Sequence, residues 1–194
     1  MKTFVSFSRF SFLAAASLML ACGGGGATDS KGSDTAASAD KGSGGGDEDS
    51  SKHPLLGQPA PDFTTASVNG QGSISISKLK GKVVVVDFWA TWCEPCKKSF
   101  PKLQELNVKY KASGLEIVGV SEDDEKKGVP DFAQTYGAKF AIGWDDGKSI
   151  AGKWQPSSMP NSFIVDKQGV IRFVHNGYHD GDEAKVEQEI KSLL

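Results

Sequence analysis

The chain has 194 residues, 38% hydrophobic, 24% charged and 9% aromatic, which suffices for one ordinary domain with a core and not for two large ones. Lys+Arg 22 against Asp+Glu 24 leaves a formal charge of −2, so there is no basic field to hold nucleic acid. Three cysteines are too few for a disulfide scaffold, and their odd number separates one from the other two.

Lys2 and Arg9 precede a short apolar run, Phe10 to Ala21. As a helix that run rises roughly 18 Å, well short of a hydrocarbon core of about 30 Å, so residues 1–21 are expected to be an export signal and not a span. The stretch ending at Cys22 resembles a bacterial lipoprotein signal, although Met19 and Leu20 depart from that pattern. The resemblance implies lipidation of Cys22, which would leave Cys93 and Cys96 as a pair. Residues 22–53 form the next unit. From Gly23 to His53 there is no Val, Ile, Leu, Met, Phe, Trp or Tyr, and six acidic residues and three lysines are scattered among glycines and serines. Nothing there offsets the entropy of ordering, so a disordered tether with an r.m.s. reach of roughly 30 Å is expected.

Residues 54–194 read as one α/β domain. Gly70 and Gly72 predict an N-terminal hairpin. Val83 to Trp89 (VVVVDFW) has the β-branching of a strand buried on both faces. Cys93 to Lys111 carries Phe100, Leu103, Leu106 and Tyr110 at helical spacing, with Pro95 in the first turn, where its missing N–H is harmless. Leu115 to Val120 reads as a strand and Val129 to Tyr136 as a helix closed by Gly137. Phe140 to Trp144 reads as a strand and Lys148 to Trp154 as a short helix. Ser162 to Asp166 and Val170 to Asn176 pair across Lys167-Gln168-Gly169, and Glu183 to Leu194 is the final helix. The order gives a central sheet with helices on both faces.

Cys93-Glu94-Pro95-Cys96 falls where a buried strand hands over to a helix. At a helix N-terminus, Cys93 gains partial positive charge and free N–H groups that favour its thiolate, making it the nucleophile. Cys96, one turn on, is spaced to resolve a mixed disulfide formed at Cys93. A zinc site would need ligands that His53, His175 and His179 do not supply at the right spacing. A purely structural disulfide would close a loop too small to stabilise much. Haem attachment would need a histidine where Lys97 stands. Asp87, nine residues before Cys96 in an otherwise apolar strand, should have a raised pKa suited to taking the Cys96 proton. Glu94 adds negative charge that disfavours a thiolate at Cys93, the property of a reductant rather than of a strong oxidant.

LGQPAPDF (Leu56 to Phe63), GKVVVVDFWATWCEPCKKSFP (Gly81 to Pro101) and MPNSFIVDKQGVI (Met159 to Ile171), with the spacing between them, resemble the thioredoxin superfamily and its TlpA/ResA-like thiol-disulfide oxidoreductases. The resemblance implies a thioredoxin fold, a central mixed β-sheet flanked by helices, with an N-terminal β-hairpin extension. It implies that Pro160 is a cis-proline facing the cysteines and offering backbone to a substrate strand, that Met159 faces the sulfurs, and that Trp92 forms an apolar rim beside Cys93. Thioredoxins carry an Asp at the position of Asp87. ResA-like relatives often do not, and frequently place Glu where Ser99 stands.

The expectation is therefore an exported protein-disulfide reductase on the periplasmic side of a bacterial membrane, inner or outer, anchored as a lipoprotein. It would act on disulfide-bearing client proteins, with apocytochrome c cysteines as one class, and be recharged by an upstream membrane thiol donor. No cofactor beyond the Cys93–Cys96 pair, no metal and a monomeric state are expected. The runner-up is a thiol peroxidase, since PAPDF and GKVVVVDFW also resemble peroxiredoxins. Those place Thr or Ser three residues before the reactive cysteine and Pro four residues earlier still, where this chain has Ala90 and Val86. A copper carrier using both thiols and a histidine is the third class, although His175 and His179 read as solvated.

Overall fold

The computed structural model describes residues 52–194. The expected export signal, Cys22 and most of the expected tether lie outside the described residues.

Two short strands open the domain, β1 (Thr64–Ala66) and β2 (Ser73–Ser75), paired antiparallel across a turn in which Gly70 and Gly72 take positive φ. The central strand β3 (Val83–Trp89) follows, all seven residues buried. Then come α1 (Glu94–Tyr110), β4 (Leu115–Ser121), α2 (Val129–Thr135), β5 (Ala141–Trp144), α3 (Ser149–Trp154), β6 (Asn161–Val165), β7 (Ile171–Asn176) and α4 (Asp182–Leu193). The five-stranded sheet runs β5-β4-β3-β6-β7. β3 is parallel to β4 and antiparallel to β6, so the sheet is mixed, as the family resemblance implies. The expected elements all occur, with ends moved by a residue or two. The helix expected from Cys93 begins at Glu94 because Cys93 is its N-cap.

Alternation along β3 divides the core. Val83, Val85 and Trp89 face one side, where Phe100, Leu103 and Leu106 of α1, Phe132 of α2 and Val186 and Ile190 of α4 pack on them. Trp89 is the hub, its ring 4.5 Å from that of Phe100 and 4.6 Å from that of Phe132. Val84, Val86 and Phe88 face the other side, against Ile150 and Trp154 of α3 and against Phe63, Ile74 and Ile76 of the N-terminal stretch. That stretch is bonded at both edges of the sheet. Gly57 N–H donates to the Ile171 carbonyl (2.8 Å) beside β7, and Val68 N–H to the Ile142 carbonyl (2.8 Å) on β5. The hairpin is thus the end of a strap across the second face. It seats closely: a Cβ at Gly143 would lie 2.6 Å from Thr65 Cγ2.

His53, read as the last residue of the tether, belongs to the domain. Its Nδ1 accepts from Leu55 N–H (3.2 Å) and its ring sits edge-on to Phe163 at 5.0 Å. Among the described residues no helix is long and apolar enough to cross a membrane.

Candidate active site

Cys93 and Cys96 form a disulfide with Cα atoms 5.3 Å apart. The backbone of Cys93 is extended (φ −82°, ψ 107°) and its Sγ accepts the Cys96 N–H at 3.2 Å, so a sulfur takes the place usually held by a capping oxygen. Pro95 in the first turn leaves no N–H to satisfy. The pair is shielded: Cys93 is 4% exposed and Cys96 fully buried. Ser99, also buried, donates its hydroxyl to the Cys96 carbonyl (3.2 Å) and places no charge near the sulfurs.

Asp87 stands between Val85 and Trp89 on the face of β3 that α1 covers, and is fully buried. Across the sheet it pairs with Gly119 on β4 and Ser162 on β6. Ser162 donates its hydroxyl to Oδ1, while Oδ2 has no hydrogen-bond partner among the described residues. Loss of hydration raises its carboxyl from 3.8 to about 7, with the Ser162 bond opposing the rise. A carboxyl titrating there can take up and release a proton at neutral pH.

The Met159–Pro160 peptide is cis. Asn161 pairs with Phe88, so buried Pro160 lies alongside the end of β3, where the chain leaves for the cysteines. Met159 is half-buried and packs against the cluster containing both cysteines. Trp92, by contrast, is 66% exposed and contributes nothing to the core. Glu94 is exposed and ion-paired with Lys97, which reduces the field its charge exerts on Cys93. His175 departs from expectation. It is not solvated but pairs with Glu189, both side chains being largely buried between β7 and α4. His179 is exposed, near Asp182. Among the described residues no group of three or more His, Cys, Asp or Glu side chains is placed to hold a metal.

Sequence reasoning missed the carboxylates that follow β4. In the run Ser-Glu-Asp-Asp-Glu, Glu122 and Asp123 are buried and Asp124 and Glu125 exposed. Glu122 N–H donates to the Trp89 carbonyl at 2.7 Å. Burial and the neighbouring Asp145 raise its carboxyl from 4.5 to about 7, with Lys148 opposing. The Asp123 carboxylate accepts from Thr91 N–H (3.2 and 3.0 Å), Thr91 Oγ1 (2.6 Å) and Ser121 Oγ (2.8 Å). The available signal was an acidic pair placed directly after a fully apolar strand, at the end of the sheet from which the cysteine loop departs.

A mixed sheet whose central strand carries a buried carboxyl and leads into a Cys-x-x-Cys disulfide capping a helix, with a cis-proline entering the neighbouring strand, defines the thioredoxin-like class of thiol-disulfide redox protein. Residues 56–174 match the AhpC/TSA family, and the chain belongs to it. It is 39% identical over 116 residues to thiol-disulfide oxidoreductase ResA of Bacillus thuringiensis strain Al Hakam, covering 60% of this chain and 66% of the relative. ResA of Bacillus subtilis strain 168 is 36% identical over 121 residues, covering 62% and 67%. The match thus spans about two thirds of the length of these relatives. Among solved structures, the thiol:disulfide interchange protein DsbE from Chlorobium tepidum is similar at a TM-score of 0.68 and 33% identity, covering 71% of this chain and 96% of that one.

Proposed function

We propose that the protein is an extracytoplasmic thiol-disulfide oxidoreductase that reduces disulfides in client proteins, tethered to a membrane through lipidated Cys22 and recharged by a thiol donor in that membrane. The observation that carries the reading is the Cys93–Cys96 disulfide capping α1, with the Cys96 N–H aimed at the Cys93 sulfur.

In the reduced protein, the Cys93 thiolate attacks one sulfur of a client disulfide. The client S–S bond breaks, one client thiolate leaves and is protonated, and a Cys93–client disulfide forms. Cys96 then passes its proton to the Asp87 carboxylate and attacks Cys93 Sγ. The second client sulfur leaves as thiolate and takes up a proton, and the protein is left as the Cys93–Cys96 disulfide. Two electrons have passed to the client, and an external dithiol must return them. Exposed Trp92 and half-buried Met159, beside Pro160, supply the apolar edge against which a client strand would lie. Cysteine pairs awaiting haem in apocytochrome c are one client class that this chemistry suits.

Cys93→Ser in the full-length protein abolishes insulin-disulfide reduction, and retained activity would overturn the assignment. Cys96→Ser in the native host blocks resolution, so clients accumulate disulfide-linked to Cys93 and mass spectrometry names them. An empty trap with Cys93 recovered as sulfenic or sulfinic acid would instead indicate a peroxidase. Against that outcome, positions 90 and 86 carry buried Ala and Val, which offer no hydroxyl to a peroxide.

A further inference from the structure

The loop between β3 and α1 is tied at three points. Trp89 carbonyl accepts from Glu122 N–H at 2.7 Å, Cys93 N–H closes a turn onto the Ala90 carbonyl at 3.1 Å, and Thr91 is held by Asp123 through both its N–H and its hydroxyl. Two of the three ties come from the residues that follow β4. Asp123 is itself immobilised: Ser121 Oγ donates to Oδ2 at 2.8 Å, and the indole N–H of Trp144, at the end of β5, donates to its carbonyl at 2.8 Å. The carboxylate is buried, so its bonds to Thr91 are not in competition with bulk water.

The value of these ties differs between the two redox states. In the oxidised protein the covalent bond to Cys96 holds Cys93 over the helix N-terminus whatever the loop does. Once that bond is reduced, the loop ties and the packing around Cys93 are what keep its Sγ where the Cys96 N–H and the partial positive charge of α1 stabilise a thiolate. We propose that Asp123 is a positioning residue for Cys93, gripping Thr91 so that the reduced sulfur stays on the α1 N-terminus, with Thr91 as the transmitting contact. The proposal deepens the oxidoreductase reading, since it concerns the nucleophile of the same site.

The sign of the effect separates positioning from plain electrostatics. If Asp123 acted through its charge, removing the charge would stabilise the thiolate, lowering the Cys93 pKa and making the disulfide easier to reduce. If it acts by holding the loop, removing it releases the sulfur from its donors and raises that pKa. The test uses the reduced full-length protein in detergent, following Cys93 alkylation by iodoacetamide against pH by mass spectrometry, together with equilibration against glutathione. Asp123→Asn, which keeps the shape but loses one acceptor oxygen, is expected to slow alkylation at pH 7 about threefold to tenfold. The glutathione equilibrium should shift by the same factor toward the protein disulfide, a potential roughly 15–30 mV more negative.

Thr91→Val, which changes no charge, should move both quantities in the same direction by a smaller factor, and Thr91→Ser should restore them. A fall in the Cys93 pKa in Asp123→Asn would overturn the proposal. So would an unchanged pKa and potential in both Asp123→Asn and Thr91→Val, whatever happens to Tm. If Asp123→Asn does not fold, the Thr91 pair decides alone. Neither readout needs a client, so failure of the wild type to reduce insulin would defeat the functional reading and leave this test standing.

Discussion

Two buried aspartates stand at the tops of neighbouring parallel strands, and the sheet treats them oppositely. Asp87, on β3, has among the described residues one hydrogen-bond donor, Ser162, for its two oxygens, and Oδ2 has no hydrogen-bond partner there. Asp123, just past β4, has both oxygens engaged by Thr91 and Ser121. A carboxyl deprived of donors resists ionisation and becomes a proton carrier near neutral pH. A carboxylate whose lone pairs are spent on a loop becomes a fastener. On the readings proposed above, the same side chain serves proton transfer on one strand and positioning just past the end of the next. The donor inventory around each decides which.

The largest way to break this contrast is Asp87→Asn. The amide oxygen can still accept from Ser162, but the proton acceptor is gone, so resolution of the Cys93–client mixed disulfide should slow by roughly 10²-fold or more while its formation is untouched. Stability should move the other way. Below about pH 4 the carboxyl is protonated both folded and unfolded, and the fold has its full stability with respect to this group. From there to about pH 7 only the unfolded chain releases the proton, so stability falls as pH rises, then levels. The span from 3.8 to about 7 corresponds to on the order of 4 kcal/mol. Urea unfolding at pH 3 and pH 8 should therefore show the variant near wild type at the low value and more stable at the high one. Glu122 is raised into the same window and should leave a falling slope of its own in the variant, while the lowered carboxyls of Asp62, Asp166, Glu183 and Glu187 contribute in the opposite direction at the acid end. An Asp87→Asn protein with normal single-turnover resolution would remove the proton role altogether.

The same pair shows how far the sequence was legible. Asp87 could be read because it interrupts Val83 to Trp89, a run whose β-branched residues admit only a doubly buried strand, so that its one carboxyl had to be buried too. The cysteines could be read from spacing, and Pro160 from its likeness to a known loop. Asp123 could not. It is 32 residues from Thr91 in sequence and meets it only because β3 and β4 pair in parallel from Val83↔Leu115 to Trp89↔Ser121. A shift of one residue in that register would turn it to the other face. Its neighbours disguise it further, since Asp124 and Glu125 are exposed and the run as a whole resembles solvated surface. The strap was half-legible for the same reason. Gly70 and Gly72 announce a turn, but the bonds of Gly57 and Val68 to opposite edges of the sheet are tertiary.

Gly119 joins the two aspartates and offers a smaller perturbation of both. It lies directly across from Asp87 and two residues before Ser121, the donor to Asp123. A Cβ there would sit 2.8 Å from Ile142 Cδ1 and 3.0 Å from Trp89 Nε1. Gly119→Ala should cost about 1–3 kcal/mol by overpacking, measured by urea unfolding. Because the terminal methyl of Ile142 can rotate away more easily than the indole, insulin reduction should persist. A matching loss of activity would instead mean that Trp89 is the side that yields, carrying the loop and both carboxylates with it.

The smallest effect belongs to Glu94, the carboxylate closest in sequence to the sulfurs. Neither buried like Asp87 nor engaged like Asp123, it is 79% exposed at the side chain and ion-paired with Lys97 one turn along. Water and the ammonium together screen its charge, and exposed pairs of this kind are worth little. Glu94→Gln should therefore lower the Cys93 pKa only slightly, in the direction expected for removal of a negative charge, and the shift should disappear in 1 M salt, where screening acts within about 3 Å. The measurement is the same alkylation profile at low and high ionic strength. A large, salt-resistant shift would place Glu94 among the groups that set the redox properties of the site, and proximity in sequence would then outweigh burial. A small, screened one leaves that task to charges and donors held inside the sheet.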